Sequence, residues 1–554
     1  MTQITCQYEY LVPLQKKCLH PALADDKDNF CLFHSQKDDK DKESFWQGIQ
    51  KKLQDKDFDF EGYYFPPGLI ADFNNVEFTD ANFSGAIFKD EAKFRVAKFT
   101  GEGVRYKSWS LISWFGNGSS SQKPLLGKLP PDLSATIFIG KVSTNFRKAK
   151  FLGDGGTDFS YATFSGEGCT DFSGTEFSGK GLTNFTFAEF SGKDGTNFNN
   201  ARFYGDGNID FSGATFSDNG STYFTDAQFS GKGKIYFCVT KFSGKGTVDF
   251  SRARFSKKDG TNFCGADFSE CNVILFTNTI FSENCEFVSA RFPWRAHQFV
   301  VFQGTRDPID LSKCSFLYSN PQRLVFHNFK FLENEPDEPF SRSFLLWKRN
   351  VVLPDEKKVG SWVTIPREKV VDRQKEEEQK EQITPEDVQV EYSHVEVLYR
   401  QFKKNLEEEK NWEDAGEFHY GEMECKRKGL TWFWRNFGLL AWYRYFSGYG
   451  ERPLRAAISL IILILLCSLL YYISDDSIHY VTYKNLGTVK ETTESYHSKG
   501  HWLSYSFKAV FWHRFGEYGV EPDSWGKAVF FFESLLGPIL IALFILALRR
   551  RVKR

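Results

Sequence analysis

The sequence has almost no net charge and no regular set of paired cysteines. Its 554 residues contain 70 Lys and Arg against 71 Asp and Glu, a net charge of -1. Proteins that bind nucleic acid through bulk charge are distinctly basic, so this class is excluded. The 11 cysteines are odd in number and irregularly spaced, unlike a secreted disulfide framework. We therefore expect a reducing compartment for most of them.

Motifs of the common enzyme classes are also missing from the sequence. It shows no Ser-His-Asp order, no phosphate-binding loop and no paired carboxylates in a recognisable frame. Runs such as FSGKG contain G-x-G, but they belong to the repeats described next, where they predict turns. We expect no catalytic residues and no enzyme activity.

Phenylalanine, in contrast, is abundant, with 59 residues, and much of it follows a fixed rhythm. From Phe146 to Phe281 the spacing alternates between five and eight through eleven units of 13 residues. Thr, Ile or Val stands two residues before the first Phe of each pair, and Ala or Thr two before the second. Residues i and i−2 of an extended chain share a face, so rings and small side chains point inward together. The Gly- and Ser-rich gaps predict turns.

This pattern predicts a parallel β-solenoid with Phe ladders as its core. Upstream, Phe73, Phe78, Phe83 and Phe88 follow a plain five-residue spacing (ANFSG, AIFKD). These segments resemble the pentapeptide-repeat family, which implies a right-handed parallel β-solenoid with four five-residue faces per coil. The 13-residue units fit two faces and a longer corner, hence a coil of 26, while a two-sided coil of 13 stays open. Charges nearly balance across 140–290, so the acidic DNA mimicry of some such proteins is not expected.

The N-terminal segment contains a Cys/His cluster with the spacing C-x11-C-x12-C-x2-H. Its members are Cys6, Cys18, Cys31 and His34. Three thiolates and an imidazole are a tetrahedral ligand set for Zn²⁺, and four protein ligands leave no position for a reactive water. We predict a structural Zn²⁺ site, with His20 as an alternative ligand. The competing interpretation is four unrelated residues.

Composition divides the chain into five regions. They are 1–60, with the cluster; 61–340, the solenoid, with an insertion at about 101–135; 341–388, a charged linker; 389–430, a helical hairpin; and 431–554, a transmembrane module. In the last region, the apolar runs 454–473 and 528–548 are long enough to span a bilayer. Arg residues precede the first run and RRRVKR follows the second, which predicts cytoplasmic N- and C-termini. The expected location is the membrane of a prokaryotic cell.

A short aromatic segment lies between the two runs, at residues 502–513. It predicts a re-entrant helix, too short to span, followed by a Gly-containing loop. This order resembles the pore module of two-transmembrane potassium-type channels, where a T-V-G-Y-G segment lines the filter with carbonyls. The filter candidates that the resemblance implies are Phe515, Gly516, Glu517, Tyr518, Gly519 and Glu521, and the hinge candidates are Gly537 and Pro538.

The filter segment departs from that motif in ways that change the expected selectivity. Phe515 replaces the Thr, Gly516 the Val and Glu517 the first Gly. A non-Gly residue in that last position disfavours the same carbonyl ring, so potassium selectivity is not expected. A ring of Glu517 or Glu521 side chains favours unspecific cation conduction instead.

An acidic residue, Glu533, lies inside the second apolar run. A carboxylate at membrane depth faces protein or water by default, so we expect Glu533 to line a pore or to pair with His513 or Arg514. The alternative is an acid near the interface that snorkels.

Two functions follow from these features. The first is a cation channel, a tetramer if the resemblance holds, whose cytoplasmic repeat body is a sensor, gate or partner-binding surface. The second is a non-conducting, membrane-anchored interaction scaffold. Both imply the lipid bilayer as a partner and allow a protein partner on the solenoid, and neither involves nucleic acid. Oligomeric state discriminates between them, because a stable monomer excludes the pore.

Overall fold

The structure is a computed structural model of the chain. It describes residues 5–9, 18–79, 81–100, 133–139, 144–152, 156–165, 167–217, 220–321, 323–331, 351–369, 382–473, 478–481, 493–495, 502–512, 520–522 and 524–552. Two compact units result, one of Met1–Leu332 with Val352–Asn405, the other of Glu333–Val351 with Leu406–Arg554. The predicted insertion at about 101–135 lies mostly outside the described residues.

The first unit is a parallel β-solenoid, which confirms the predicted fold class. Four parallel sheets form its faces and contain seven, seven, ten and seven strands among the described residues. The first sheet comprises Tyr64–Phe65, Ile87–Phe88, Ile137–Phe138, Thr163–Phe164, Glu189–Phe190, Thr215–Phe216 and Lys241–Phe242. The second comprises Thr157–Asp158, Thr183–Asn184, Ile209–Asp210, Ile235–Tyr236, Thr261–Asn262, Cys285–Glu286 and Cys314–Ser315. The third comprises Ala71–Asp72, Ala92–Lys93, Thr144–Asn145, Thr170–Asp171, Thr196–Asn197, Thr222–Tyr223, Thr247–Asp249, Val273–Thr277, Phe299–Gln303 and Leu324–His327. The fourth comprises Glu77–Thr79, Lys98–Thr100, Lys150–Phe151, Glu176–Phe177, Arg202–Phe203, Gln228–Phe229 and Arg254–Phe255.

The strand register gives the length of a coil. In the middle of the solenoid Thr157 pairs with Thr183 and Thr170 with Thr196, each 26 residues further along the chain. Two 13-residue units therefore make one four-sided coil, and the two-sided coil of 13 is wrong. Upstream, Ala71 pairs with Ala92, so the plain five-residue repeat makes a shorter coil.

The core consists of stacked Phe rings, as the spacing predicts. Phe146 stacks on Phe172, 26 residues away, with ring centroids 4.8 Å apart, and Phe172 on Phe198 at 4.8 Å. Rings of adjoining ladders meet edge to face, as Phe159 and Phe172 do at 5.6 Å. Both geometries are favoured by the ring quadrupole, and all of these rings are buried.

Helices cover both ends of the solenoid. At the N-terminal end, α1 (Lys42–Gln54) begins where the Asp41 side chain accepts hydrogen bonds from two backbone N–H groups, and it buries Phe45 and Ile49. At the C-terminal end, α2 (Tyr392–Glu408) places Phe402 against the rings of Phe316 and Phe326, at centroid distances of 5.4 and 5.5 Å. The last Phe rings of the ladders are buried at both ends, because the capping helices cover them.

Part of the predicted charged linker, 341–388, is ordered structure instead, which corrects that interpretation. Pro354–Lys358 is a 3₁₀ helix, and Trp362–Lys369 pairs antiparallel with Gln382–Gln389. This hairpin contacts the turn that follows Thr261–Asn262, where the Cys264 thiol contacts the Thr364 carbonyl at 3.8 Å. Charged residues dominate the composition of this segment, so the sequence did not predict the two strands. A two-stranded sheet, Ile309–Asp310 with Phe329–Lys330, lies nearby in the chain.

The second unit is largely helical. Its helices are α3 (Trp412–Lys428), α4 (Trp432–Phe437), α5 (Leu439–Ser447), α6 (Pro453–Ile473), α7 (Trp502–Trp512) and α8 (Ser524–Val552). A three-stranded antiparallel sheet has Ile478–Val481 between Thr493–Ser495 and Val520–Pro522. Helices α6 and α8 are long and apolar enough to cross a membrane.

Candidate metal centre and membrane helices

The four predicted metal ligands converge at one buried point. Cys6, Cys18, Cys31 and His34 are all buried, and their ligand atoms lie within 4.8 Å of one another. The Cys18 and Cys31 Sγ atoms are 3.9 Å apart. His34 Nδ1 lies 3.2 Å from Cys31 Sγ and 3.6 Å from Cys6 Sγ. Such a Cys₃His cluster can hold a metal ion.

Short backbone pairings bring these distant cysteines together. The Cys6 N–H donates to the His20 carbonyl at 2.9 Å, and Ala22 pairs with Cys31 in an antiparallel bridge. The Cys31 N–H donates to Cys6 Sγ at 3.2 Å, a contact that stabilises negative charge on this sulfur. Ligands that are far apart in the sequence thus meet at one site, although their spacing is not that of a standard zinc finger.

The orientation of His34 is fixed by groups outside the cluster. Its Nε2–H donates to the Glu61 carbonyl at 3.1 Å, which leaves Nδ1 with a lone pair toward the sulfurs. The Tyr8 ring stacks on the imidazole at 4.0 Å. Since Glu61 precedes the first strand of the solenoid, the cluster is tied directly to the first coil.

The cluster already favours a thiolate. A hydrogen bond from the Cys31 thiol, opposed by burial, lowers the pKa of the Cys18 thiol to about 3. The same hydrogen bond, together with burial, raises the pKa of Cys31. A metal ion binds the deprotonated sulfur, so the site has the charge that a cation requires.

His20, the alternative ligand from the sequence, does not belong to the cluster. Its side chain is exposed, and its ring meets the edge of Phe33 at 5.1 Å. Cys18 is buried and His20, two residues later, is exposed, so only the Cys side chain reaches the site.

In the second unit, α7 is held between the two long helices by an acidic residue. Glu533 of α8 is fully buried. The Tyr471 hydroxyl of α6 donates to its Oε2 at 3.0 Å, and the Ser506 hydroxyl of α7 donates to its Oε1. One carboxylate therefore joins all three helices. The predicted partners His513 and Arg514 lie outside the described residues.

A close helix contact supports this arrangement. A Cβ atom added to Gly537 of α8 would lie 3.0 Å from Val510 Cγ1 and 3.3 Å from its Cα. The glycine thus lets α8 approach the backbone of α7. Pro538 lies within α8, which continues as one helix on both sides of it. Cys467, Tyr471 and Trp502 pack together at the contact of α6 with α7.

Most of the predicted filter lies outside the described residues, namely Phe515, Gly516, Glu517, Tyr518 and Gly519. Glu521 lies in the strand Val520–Pro522, opposite His479 of the central strand. Its backbone therefore belongs to an antiparallel sheet.

Sequence reasoning missed a buried polar cluster next to α6. The Arg427 guanidinium donates to Glu424 Oε1 at 2.7 Å, and the Tyr449 hydroxyl donates to Glu424 Oε2 at 2.8 Å. Arg452 donates to Glu417 at 2.7 Å. The i, i+3 spacing of Glu424 and Arg427 was the available signal, but such pairs usually lie on a solvated helix face.

Comparison with protein-family models, curated proteins and solved structures finds no match to the chain. The solenoid and the two apolar helices fit a membrane-associated repeat protein. The resemblances to pentapeptide-repeat proteins and to potassium-type channels rest on the sequence pattern alone.

Proposed function

We propose that the protein is an oligomeric membrane channel that conducts cations. The observation that carries this proposal is the position of α7 between α6 and α8. At 1.5 Å per residue, its 11 residues extend about 16 Å, roughly half of a 30 Å hydrocarbon layer. A helix of this length is too short to cross the membrane. In this proposal, the chain therefore enters the membrane through α7 and returns to the same side.

The Glu533 network gives this short helix a fixed position. A buried carboxylate is costly in a membrane unless it is hydrogen-bonded, and both of its oxygens have donors here. The loop after α7 would therefore be presented at a defined depth, as a pore loop must be. Irregular backbone at that depth is tolerated only where it lines a cavity or contacts protein, which favours assembly around an axis.

The proposal includes an orientation. Arg-rich flanks of α6 and α8 favour cytoplasmic N- and C-termini, and the solenoid then lies in the cytoplasm as a sensor, gate or partner-binding body. The filter acids Glu517 and Glu521 supply the negative ring for cations.

The assembly state tests this part of the proposal. We expect the purified chain in lipid nanodiscs to have the mass of a tetramer. Glu533→Gln keeps a hydrogen-bonding group for Ser506 and Tyr471 and should keep the tetramer, whereas Glu533→Leu should dissociate it. A wild-type chain that stays monomeric at all concentrations would contradict a shared pore.

One observation favours a second function, a non-conducting scaffold anchored in the membrane. The strand Val520–Pro522 pairs with Ile478–Val481, so the end of the predicted filter is in a sheet. Backbone groups paired in a sheet do not coordinate ions. A scaffold of this kind would use the solenoid to bind a protein and the two helices as an anchor.

We also propose that the Cys₃His cluster binds a structural Zn²⁺ ion. With Zn–S bonds of about 2.3 Å, tetrahedral ligation places two sulfurs about 3.8 Å apart. The 3.9 Å between Cys18 and Cys31 Sγ supports this geometry. His34 is oriented for ligation through Nδ1, and the surrounding segment is too short to fold on its own core.

Metal content tests the Zn²⁺ assignment. The purified chain should contain about one Zn²⁺ per copy by elemental analysis, and Cys18→Ser should contain at least about tenfold less, since a ligand is lost. Cys169→Ser, outside the cluster, is the matched control. Equal zinc in wild type and Cys18→Ser would show that the ion is bound elsewhere.

A further inference from the structure

Helices α4 and α5, directly before α6, expose an aromatic face. In α4 every residue is at least partly exposed, and in α5 the buried residues are Ala441 and Ser447, both small. The exposed apolar side chains are Trp432, Phe433, Trp434, Phe437, Leu439 and Trp442. Leu439 is 83% exposed and Trp432 65%, and a group of exposed apolar side chains of this size marks a surface that contacts protein or membrane. We call this set the aromatic face.

The position of α5 along α6 sets its depth. The Ser459 hydroxyl of α6 donates to the Phe446 carbonyl at the end of α5, at 3.3 Å. Ser459 is the seventh residue of α6, about 9 Å along its axis from the first residue. The uncharged run of α6 begins at Ala456. The end of α5 therefore lies level with the point where the hydrocarbon layer begins, if α6 spans it.

The chain reverses tightly between the two helices. Gly448 ends α5 in the left-handed conformation, with φ of 56°, and Tyr449 and Gly450 also have positive φ. Tyr449 is fully buried and hydrogen-bonded to Glu424. This turn is thus fixed by the polar cluster, and it holds α5 beside the first turns of α6.

The charge of this segment complements an anionic surface. Residues 426–455 contain seven basic residues and one acid, although Arg427 and Arg444 contact Glu424 and Arg452 is paired with Glu417. Lys426 is exposed, and Lys428, Arg435 and Arg444 are partly exposed. Trp rings with nearby Lys and Arg side chains are the composition of helices that lie in the headgroup layer. Each basic residue near an anionic leaflet adds attraction.

We infer that α4 and α5 lie flat in the interfacial layer of the membrane, with the aromatic face in contact with the acyl-chain boundary of an anionic leaflet. This inference rests on α6 and α8 spanning the bilayer, but not on conduction. It assigns the aromatic face to lipid because α5 lies beside the start of the apolar run of α6 and the basic side chains of this segment complement anionic headgroups. The paired helices would then fix how deeply α6 is inserted.

Depth-dependent quenching tests the inference on the full chain in nanodiscs that contain anionic lipid. An environment-sensitive fluorophore is attached to Leu439→Cys in a Cys169→Ser background, since the other described cysteines are buried. Leu466→Cys, exposed on the middle of α6, and Trp294→Cys, exposed on the solenoid, are the matched controls. Quenching is measured with lipids that carry a nitroxide at the headgroup or deep in the chain, and with aqueous iodide.

The expected result separates the three positions. The Leu439 label should be quenched by the headgroup nitroxide about threefold more than by iodide or by the deep nitroxide. The Leu466 label should respond to the deep nitroxide and the Trp294 label to iodide only.

Two results at Leu439 would overturn the inference. Strong quenching by iodide alone would place the aromatic face in water, and no quenching by any reagent would place it against protein. If the Leu466 label fails to respond to lipid nitroxide, the membrane placement of α6 itself is wrong, which is distinct from a failure at Leu439 alone.

Discussion

At the corners of the solenoid, one residue per unit takes the left-handed conformation. It stands two positions after the first Phe of each pair, and φ is positive at every such position from 148 to 278. The residues are Lys148, Tyr161, Gly174, Phe187, Asn200, Gly213, Asp226, Val239, Arg252, Gly265 and Asn278. Only some of these residue types prefer that conformation, so the fold imposes it on the others. Residue propensity alone does not predict this corner, because the same position of every unit is left-handed while the residue type differs from unit to unit.

The residue before the first Phe shapes the same corner. Asp158 Oδ1 accepts a hydrogen bond from the Ser160 N–H at 2.8 Å, and Asn197 does the same for Asn199 at 2.9 Å. Asp and Asn favour such local turns. At Asp210 the environment differs, because this side chain is fully buried and its Oδ2 has no hydrogen-bond partner in the described part of the chain.

Asp210→Asn should stabilise the solenoid at neutral pH. Burial raises the pKa of Asp210 from 3.8 to about 6, so the folded chain holds this proton more tightly than the unfolded chain. As the pH rises from about 4 to about 6, ionisation of this carboxyl therefore lowers the free energy of unfolding, by at most about 3 kcal/mol. Asn184 and Asn262 occupy the equivalent position of the same sheet, so the amide fits.

The measurement is the thermal midpoint of the β-sheet circular dichroism signal at pH 8 and pH 4. The variant should melt higher than wild type at pH 8 and at nearly the same temperature at pH 4. Asp171→Asn, partly exposed on the third sheet, is the control and should change little. An equal gain at both pH values would show that ionisation of Asp210 is not the cause.

Among the elements, the Phe ladders were predictable and the caps were only partly so. The ladder period is strict, and burial of one ring requires its neighbours, so the sequence pattern alone predicts the stack. The helical spacing around Phe402 predicts a helix, but its contact with Phe316 and Phe326 depends on where the chain returns after residue 331. The hairpin at 362–389 was hidden by its charges.

Phe402→Ala should loosen the last coil and leave the first intact. Removing a buried ring costs about 3–5 kcal/mol, and a solenoid transmits this loss only to neighbouring coils. Hydrogen exchange of the Leu324–His327 amides should accelerate by about 100-fold or more, while Tyr64–Phe65 should not change. Val397→Ala, exposed on the same helix, is the control. Equal acceleration at both ends would contradict local capping.

The metal cluster illustrates the same limit on prediction. The CLFH segment correctly joins Cys31 and His34, because two intervening residues put both side chains on one turn. Whether Cys6 and Cys18 or His20 complete the set depends on strand pairing between residues 6 and 31, which spacing does not encode. Similarly, the position of Tyr471 at the end of the first apolar run does not reveal that its side chain is buried against Glu533.

At the scale of the whole molecule, the chain combines two different sources of stability. The first unit is a rigid stack of aromatic coils, closed at one end by the Cys₃His cluster with α1 and at the other by α2. The second unit has two helices that are long and apolar enough to cross a membrane, and a short helix fixed between them by Glu533. Solenoid bodies present long surfaces for partners, and a short helix fixed between spans presents a loop to a pore. The two units together fit a membrane-associated repeat protein, and the channel proposed above would use the solenoid as its regulatory body.

The most direct test of this account is ion flux into liposomes that contain the purified full chain. The account predicts a cation flux that the double variant Glu517→Gln with Glu521→Gln lowers several-fold, because the acidic ring concentrates cations. The double variant Glu189→Gln with Glu283→Gln, on the solenoid, should match wild type. No flux at any voltage or pH, with insertion of the protein verified, would contradict the channel and leave the anchored scaffold as the function.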